Sequence, residues 1–323
     1  MASDTLHLTA DRHSIEQAVR LIVEGRLVAF PTETVYGLGA DATNGRAVAG
    51  IYEAKGRPRF NPLIAHLASF DLARGQGRFS PAAERLAKAF WPGPLTLVVP
   101  KSPGCTVSEI ATAGLDSVAL RVPDHVVAQA ILAAVGRPVA APSANRSGHV
   151  SATTAAHVAA DLDGRIAAIV DGGATPVGVE STILACLEDR VAMLRPGGLS
   201  REAVEAVLGF PLAEGPEGAA DEPLAPGMLA SHYAPKASVR LDAQSAGPTE
   251  AWLGFGGRGD GSKARVAADL SPAGDLTEAA ANLFGMLRAL DRPDISAIAV
   301  APIPPRGLGE AIRDRLARAA AER

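Results

Sequence analysis

The chain has 323 residues, 47% of them hydrophobic, which is enough material for two domains with apolar cores. A formal net charge of -4 argues against nucleic-acid binding through the surface as a whole, and leaves a local basic cleft as the site for any anionic ligand. Two cysteines are too few for a disulfide framework, the first residues lack a signal-peptide pattern, and no apolar run approaches the roughly 20 residues of a membrane helix. We therefore expect a globular cytoplasmic protein without a membrane partner.

Helical and strand patterns alternate over residues 14–209, which predicts an α/β domain around a mixed or mainly parallel sheet. The first helix is expected to open at Ser14, where Gln17 completes a capping box, and to end at Gly25. Short apolar segments predict strands at 27–30, 63–67, 95–99, 118–122, 138–141, 168–170, 181–186 and 191–194. Further helices are predicted at 81–90, 124–135, 153–162 and 200–208.

Prolines with small and acidic residues dominate the sequence after Phe210, which predicts a linker over 210–236. A smaller α/β domain is predicted over 237–323, with strands at 238–241, 251–255, 264–267 and 297–301 and helices at 277–290 and 307–321. The glycine-rich sequence from Gly254 to Gly259 follows one of these strands. No apolar helix opens after it, so we interpret it as a loop rather than a dinucleotide-binding turn.

Apolar residues at helical spacing over 46–55 predict a further helix, and the loop after it carries three cations within five residues, from Lys55 to Arg59. Gly56 supplies the helix stop, so Lys55 lies at the helix end and Arg57 just beyond it. A lysine offers a mobile point charge and an arginine a planar fork of donors, which together suit a polyphosphate or a carboxylate. Taken alone, the loop favours the alternative of a solvated surface segment.

Polar motifs stand at several predicted strand ends, where ligands collect in α/β sheets. The segment Pro31-Thr-Glu-Thr34-Val-Tyr-Gly-Leu-Gly39 could line a pocket for a small polar molecule or form a hydroxyl-rich turn. The segment Ala140-Ala-Pro-Ser143-Ala-Asn145 offers hydroxyl and amide groups to phosphate or ribose, with a turn as the alternative.

Arg121 and His66 interrupt apolar strand segments. A buried charge is costly unless it is paired, so Arg121 either points to solvent from an edge strand or binds a ligand carboxylate, and side-chain alternation slightly favours the edge. For His66 a core or edge position is the more frequent arrangement. The sequence has no P-loop and no metal-ligand spacing of His or Cys, so any metal is expected to arrive with a nucleotide as Mg²⁺.

Taken together and in this order, the motifs resemble the YrdC/YciO-type family in its long, two-domain form, that of the L-threonylcarbamoyladenylate (threonylcarbamoyl-AMP) synthases. The motifs that carry the resemblance are Pro31-Thr-Glu-Thr-Val-Tyr-Gly-Leu38, Lys55-x-Arg57, Ser143-x-Asn145, Gly178-Val-Glu-Ser-Thr182, Leu194-Arg-Pro-Gly197 and Pro226-Gly-Met with His232-Tyr-Ala-Pro235. The resemblance implies a YrdC-like twisted mixed sheet, with helices around a concave pocket, over residues 12–209. It also implies a lid formed by the linker 210–236 and a smaller Rossmann-like α/β domain over 237–323.

The family reaction, as the resemblance implies it, joins L-threonine, bicarbonate or CO₂, and ATP into L-threonylcarbamoyl-AMP and releases pyrophosphate. ATP would enter as a substrate with Mg²⁺, and no tightly bound cofactor is expected. The product would serve N6-threonylcarbamoyladenosine formation in tRNA, which implies transient contact with the transfer machinery and some affinity for tRNA or double-stranded RNA. Neither chemical step needs a protein nucleophile, because positioning and electrostatic stabilisation suffice.

The resemblance further implies roles for individual residues. Lys55 and Arg57 would be catalytic, stabilising charge as pyrophosphate leaves. The predicted ATP contacts are Arg57, Asn61, Ser117, Ser143, Asn145, Ser151, Arg195, His232 and Tyr233. The predicted L-threonine contacts are Thr34, His66, Arg121, Ala141 and Ser181, with Arg121 on the carboxylate. The linker departs from the family pattern, since Leu229 and Ala230 stand where relatives often carry a basic residue and a tyrosine.

Two other functions compete with this one. The basic surface could bind RNA without catalysis, although net acidity and the lack of interleaved basic and aromatic residues count against it. A carbamoyltransferase acting on another acceptor is the second alternative. The chain lacks the cysteine-rich and acylphosphatase-like modules that such hydrogenase-maturation proteins carry.

Overall fold

The computed structural model describes residues 4–58, 60–187, 190–214 and 233–321. These residues form two α/β units, which we call the first unit (described residues 4–214) and the C-terminal unit (233–321). Within them the first unit contains an eleven-stranded mixed sheet and the C-terminal unit a four-stranded parallel sheet. The predicted mixed α/β fold with a second, smaller unit is thus confirmed. Most of the predicted linker lies outside the described residues, so its boundaries stay predictions.

The first unit alternates strands and helices along the chain. Its strands are β1 (Leu6–Thr9), β2 (Val28–Pro31), β3 (Tyr36–Asp41), β4 (Ile64–His66), β5 (Leu95–Pro100), β6 (Ser117–Arg121), β7 (Val139–Ala140), β8 (Ala168–Asp171), β9 (Thr182–Ala185), β10 (Ala192–Arg195) and β11 (Ala213–Glu214). Its helices are α1 (Arg12–Val23), α2 (Gly45–Lys55), α3 (Phe70–Gln76), α4 (Pro81–Phe90), α5 (Glu109–Thr112), α6 (Val126–Val135), α7 (Ala155–Leu162) and α8 (Arg201–Leu208). The strand order is β1-β8-β2-β3-β7-β4-β6-β5-β9-β10-β11.

Both faces of the larger sheet are covered, as the run of buried residues in β2 shows. Val28 and Phe30 pack into one apolar cluster with α1 and α6, whereas Ala29 between them packs into the other cluster with α2. Successive side chains of a strand point to opposite faces, so a strand in this position must be apolar throughout.

Helix ends follow local capping chemistry, with one correction to the sequence analysis. The first helix begins at Arg12, and the carboxylate of Asp11 accepts the backbone N–H of Ser14 as well as its hydroxyl. The capping box predicted at Ser14 is therefore wrong, because Asp11 caps the helix three residues earlier and Ser14 lies in its first turn. The predicted stop at Gly56 is confirmed, and its φ of 63° lies in the left-handed region that glycine adopts without penalty.

The pairing of strands at the centre of the sheet brings two of the predicted site residues next to each other. The strands β4 and β6 are parallel neighbours, and His66 lies opposite Arg121 at their carboxyl ends. Because β6 also pairs with β5, it is not an edge strand, and the edge alternative for Arg121 is wrong. The segment after β2, for which the sequence left a ligand pocket or a hydroxyl-rich turn open, makes a tight turn into β3, which pairs with β2 in antiparallel fashion.

The C-terminal unit contains strands β12 (Ser238–Arg240), β13 (Glu250–Gly254), β14 (Val266–Asp269) and β15 (Ala297–Val300), with helices α9 (Leu276–Leu290) and α10 (Leu308–Ala320). Its strand order is β12-β15-β13-β14. The glycine-rich segment after β13 is a loop, as predicted, and a Cβ added at Gly259 would lie 2.6 Å from the ring of Trp252. Glycine is thus required there by packing. Throughout the described residues, we find no helix with the length and apolar character needed to cross a membrane.

The two units share an apolar cluster. Val35, Val150 and Val179 from the first unit pack in the same cluster as Leu283 and Phe284 of α9. These first-unit valines belong to loops that follow the strands of the larger sheet. The C-terminal unit therefore packs against the loops that carry the polar motifs.

Candidate active site

A cavity opens where these loops face the first described residue of the C-terminal unit. Its volume is about 40 Å³, and it is partly open to solvent. Its lining residues are Val35, Arg57, Ile64, His66, Arg121, Ala141, Pro142, Ser143, Glu180, Ser181, Arg195 and Tyr233. Eight of these were predicted from the sequence, and they come from segments separated by more than a hundred residues.

One part of the cavity is formed by Arg121 and its partner Glu33. Arg121 is only 3% exposed, and its Nη2 donates to Glu33 Oε1 at 2.6 Å. The other oxygen of Glu33 accepts the backbone N–H of Asp124 at 3.1 Å. Nε of Arg121 also donates to the carbonyl oxygen of Gly93 at 3.4 Å, and a buried guanidinium held at two nitrogens is fixed in orientation. It can bind a carboxylate without first being desolvated.

His66, next to Arg121 across the β4–β6 register, is a neutral imidazole. Burial and the neighbouring Arg121 charge lower the pKa of His66 to about 3. Its Nδ1 lies 3.3 Å from the carbonyl oxygen of Ile64. Nearby, the hydroxyls of Ser181 and Thr96 are 2.7 Å apart. This part of the cavity therefore combines one fixed positive charge with neutral hydrogen-bonding groups, which suits a zwitterionic amino acid.

Two further guanidinium groups, those of Arg57 and Arg195, line the same cavity. Arg57 donates to the carbonyl oxygens of Asn61 and Pro62 at 3.4 and 3.1 Å. Arg195 donates to the carbonyl oxygen of Ser181 through Nε and Nη2, at 3.2 and 2.8 Å. Burial lowers the pKa of Arg57 to about 10 and also lowers that of Arg195, so Arg57 stays charged at neutral pH. Buried cations held by carbonyls strongly favour a polyanion.

Lys55 lies at the end of α2 and is absent from the cavity lining. It is 3% exposed, and its ammonium donates to the carbonyl oxygens of Ser143, at 2.5 Å, and of Asn145. Burial, followed by the charge of Arg57, lowers the pKa of Lys55 well below its usual value. The solvated surface alternative for this part of the basic loop is therefore wrong, since Lys55 and Arg57 are both buried.

Two buried asparagines offer acceptors close to these cations. Asn61 and Asn145 are 1% and 0% exposed, and neither side-chain oxygen has a hydrogen-bond partner among the described residues. The amide nitrogen of Asn145 donates to the carbonyl oxygens of Arg146 and His149, which fixes which way the side chain points. A buried acceptor left open in this way suits a ligand donor such as a hydroxyl or an amino group.

The comparison with known proteins agrees with this geometry. Residues 20–197 match the Sua5/YciO/YrdC family model, described as "Telomere recombination". Residues 199–321 match the model "Threonylcarbamoyl-AMP synthase, C-terminal domain". The chain belongs to the Sua5/YciO/YrdC family. Its two matched regions correspond to the first unit and to a region that contains the C-terminal unit.

Relatives of the same two-part length are similar along the whole chain. A threonylcarbamoyl-AMP synthase of Bacillus subtilis is 45% identical over 336 residues, which span 99% of this chain and 96% of its own. A threonylcarbamoyl-AMP synthase of Pyrococcus abyssi is 45% identical over 327 residues, spanning 96% of this chain and 94% of its own. A crystal structure of Pyrococcus abyssi Sua5 complexed with L-threonine matches with a TM-score of 0.89 at 41% identity, covering 98% of each chain.

Not every predicted contact of this family member lines the cavity. Thr34 is buried in the turn after β2, where its hydroxyl lies 2.9 Å from that of Thr32. Ser117 lies at the opposite end of β6 from Arg121 and is absent from the cavity lining. Ala141 lines the cavity, but its backbone N–H donates to the carbonyl of Ile64 at 3.1 Å. His232 lies outside the described residues.

Glu180 is a cavity residue to which the sequence analysis gave no role. Its Oε1 accepts the hydroxyl of Ser151 at 2.5 Å, and its Oε2 accepts Nε of Arg315 at 2.7 Å. Burial alone would raise the pKa of Glu180, but Arg315 and Arg195 outweigh it and hold the pKa at about 2. Its position within the motif Gly178-Val-Glu-Ser-Thr182 could have identified Glu180 as a site residue. Arg315 lies 135 residues away and had no local signal.

Proposed function

We propose that this chain synthesises L-threonylcarbamoyl-AMP from ATP, L-threonine and bicarbonate or CO₂, with release of pyrophosphate. The proposal is supported by one cavity lined by the buried guanidinium groups of Arg57, Arg121 and Arg195 together with His66 and Ser181. These groups match the charges of an amino acid carboxylate and a polyphosphate. The names of the full-length relatives support the same reaction.

In the proposed complex, L-threonine lies at the Arg121 side. The guanidinium of Arg121, held by Glu33, binds the carboxylate, and neutral His66 and Ser181 accept or donate hydrogen bonds without adding a competing charge. Thr34 and Ala141 complete this subsite. A neutral imidazole is required here because a second cation would hold the threonine amine in an unfavourable field.

ATP lies at the Arg57 side of the same cavity. Arg57, Arg195 and Ser143 bind the phosphates, and Lys55 stabilises the charge that develops as pyrophosphate leaves. The open side-chain oxygens of Asn61 and Asn145 accept hydrogen bonds from the nucleoside. The remaining proposed nucleotide contacts are Ser117, Ser151, His232 and Tyr233.

The chemistry needs no protein nucleophile. The lone pair of the threonine amine attacks the carbon of CO₂, and loss of a proton from nitrogen leaves a carbamate. A carbamate oxygen then attacks the α-phosphorus, and the bond from that phosphorus to the bridging oxygen breaks, so pyrophosphate leaves with the electron pair. The cavity accelerates both steps by holding the reactants together and by stabilising negative charge with buried cations.

The carboxylates around the cavity do not suit a protein-held metal. Glu33 is paired with Arg121, and Glu180 with Arg315, at 2.6 and 2.7 Å. We therefore propose that Mg²⁺ enters bound to the triphosphate oxygens and screens their charge, while the protein supplies the cationic wall.

The proposed product is a mixed anhydride, and its threonylcarbamoyl group is used to modify tRNA. We propose that the chain passes it to proteins that transfer the threonylcarbamoyl group to tRNA adenosine, with transient contact to them and some affinity for tRNA or double-stranded RNA. Because tRNA is the final acceptor, we place the reaction in the cytoplasm.

The test is a turnover assay with each substrate omitted in turn. Protein, ATP, Mg²⁺ and bicarbonate are mixed with each amino acid, and pyrophosphate and adenylated product are measured. We expect product that depends on threonine and on bicarbonate. Pyrophosphate release that is the same without any amino acid would contradict the proposal, as would RNA retention with no turnover.

A further inference from the structure

The guanidinium of Arg315, on α10 of the C-terminal unit, is completely buried. Among the described residues it is the largest side chain with under 2% exposure. Its Nε donates to Glu180 Oε2 at 2.7 Å, its Nη2 donates to the carbonyl of Pro196 at 3.0 Å, and its Nη1 pairs with Asp314. Burying an arginine costs several kcal/mol unless its donors are paired, so this position depends on partners from the first unit.

The two first-unit partners of Arg315 each stand next to a proposed substrate contact. Glu180 precedes Ser181, and Pro196 follows Arg195. The loops that carry them are tightly joined, since Gly198 N–H donates to the Glu180 carbonyl at 2.9 Å. Arg195 in turn donates to the carbonyl of Ser181. The side chain of Arg315, from the C-terminal unit, thus binds both loops.

A third wall of the cavity contacts the same guanidinium. The Cζ atom of Arg315 lies 5.2 Å from the centroid of the Tyr233 ring, which lines the cavity. The ring of Tyr233 also stacks on Phe284 of α9, with 5.5 Å between the ring centroids. A cation over an aromatic face at this distance is attractive. Arg315 therefore contacts, or lies one residue from, three segments of the cavity lining.

We propose that Arg315 is a positioning residue of the ATP site, through which the C-terminal unit holds Arg195 in place for the triphosphate. The proposal rests on the function proposed above. Without Arg315, the carboxylate of Glu180 stays buried, and Arg195 is a second cation whose charge acts on it. Glu180 then draws Arg195 away from the Ser181 carbonyl and neutralises a charge that the triphosphate needs. Threonine, held by Arg121 and His66 on another part of the wall, is affected less.

The experiment compares Arg315→Met with the wild type in the full chain. We expect KM for ATP to rise about tenfold or more, and the dissociation constant of ATP from direct titration to rise in parallel, while KM for threonine changes less than about threefold. In Arg315→Met/Glu180→Gln the carboxylate that captures Arg195 is gone, so KM for ATP returns to within about threefold of wild type. Such a rescue of one kinetic constant is not expected from a general loss of packing.

The matched control breaks another ion pair between the two units. Arg201 of α8 pairs with Glu310 of α10 at 2.7 Å and lies away from the cavity lining. Arg201→Met is expected to lower the melting temperature and leave both KM values unchanged. An equal rise of KM for ATP in this variant would overturn the proposal.

A second variant keeps the test open if Arg315→Met does not fold. Arg315→Lys retains the charge beside Glu180 but lacks the planar fork that also reaches the Pro196 carbonyl, and we expect KM for ATP to rise about threefold or more. A KM and an ATP dissociation constant within about twofold of wild type in the folded variant would overturn the positioning role. The titration needs no turnover, so it tests Arg315 even if threonine-dependent synthesis fails, which would instead contradict the proposed function.

Discussion

The surroundings of Lys55 make its pKa sensitive to the binding of an anionic substrate. Its ammonium donates to the backbone carbonyl oxygens of Ser143 and Asn145, and the charge of Arg57 opposes its own. The lowered pKa of Lys55 follows from burial and from this repulsion. A bound triphosphate supplies the opposite charge, and the pKa must then rise.

We therefore expect proton uptake when ATP binds. At a pH between the lowered pKa of free Lys55 and the ordinary lysine pKa of about 10.4, part of the free lysine is neutral and becomes protonated in the complex. Calorimetric titrations in buffers of different ionisation enthalpy measure this uptake. Lys55→Met should abolish it, and an unchanged proton count in that variant would show that another group titrates.

Arg121 should determine the affinity for threonine. We expect Arg121→Met to raise KM for threonine by about 30-fold or more, the equivalent of roughly 2 kcal/mol, because the carboxylate loses its partner and Glu33 is left buried and unpaired. KM for ATP should change little. Arg137→Met is the control, since Arg137 pairs with Asp41 at 2.9 Å and is absent from the cavity lining; a similar effect in both variants would exclude a specific role.

Sequence patterns predicted the site residues that stand in recognisable motifs, but not the residues that pair with them in the fold. Arg57, Ser181 and Arg195 stand in motifs that could be recognised together. The pairing of Arg121 with Glu33 spans 88 residues, and that of Glu180 with Arg315 spans 135. Such pairs are made by the fold, and neither periodicity nor composition of a short segment encodes them.

At the scale of elements, apolar strands were predicted and glycine-rich or short ones were missed. The sequence analysis did not predict β1, β3, β11, α3 or α5. In β3, Gly39 is required because an added Cβ would lie 2.5 Å from the ring of Phe30 on β2. Glycine lowers strand propensity, so the pattern indicated a turn where packing against a neighbouring strand decides the structure.

Gly197 and Gly285 differ in whether the surrounding atoms leave room for a side chain. A Cβ added at Gly197 would lie 2.4 Å from the carbonyl oxygen of Glu180, whereas at Gly285, inside α9, it would meet open space. We expect Gly197→Ala to lose about 1–3 kcal/mol of unfolding free energy together with ATP affinity, and Gly285→Ala to gain about 0.5–1 kcal/mol. Urea unfolding monitored by circular dichroism measures both changes; a neutral Gly197→Ala would contradict the tight contact between the two loops.

At the scale of the whole molecule, the C-terminal unit is part of the site rather than an appendage. Besides Arg315, its residue Arg288 pairs with Asp161 at 2.7 Å and donates to the carbonyl of Ser151 at 3.3 Å. The shared apolar cluster joins the same surfaces. The sequence predicted only a smaller α/β domain here, because contacts between distant segments leave no local pattern.

The two units should consequently unfold together. The chain has two tryptophans, Trp91 in the first unit and Trp252 in the C-terminal unit, so Trp252→Phe and Trp91→Phe leave one fluorescent reporter in each. We expect the same urea midpoint from both reporters and from circular dichroism, as for a single cooperative transition. A lower midpoint for one unit alone would show that the shared cluster and ion pairs do not couple them.

We propose that the cavity joins threonine to ATP through a carbon taken from bicarbonate. Supplying ¹³C-bicarbonate with threonine, ATP and Mg²⁺ and determining the mass of the adenylated product tests this proposal. We predict a threonine-containing adenylate that carries the label and is heavier than the unlabelled product by the mass of the extra neutron. An adenylate of threonine whose mass does not change with the label would contradict the account, because it would mean direct activation of the amino acid.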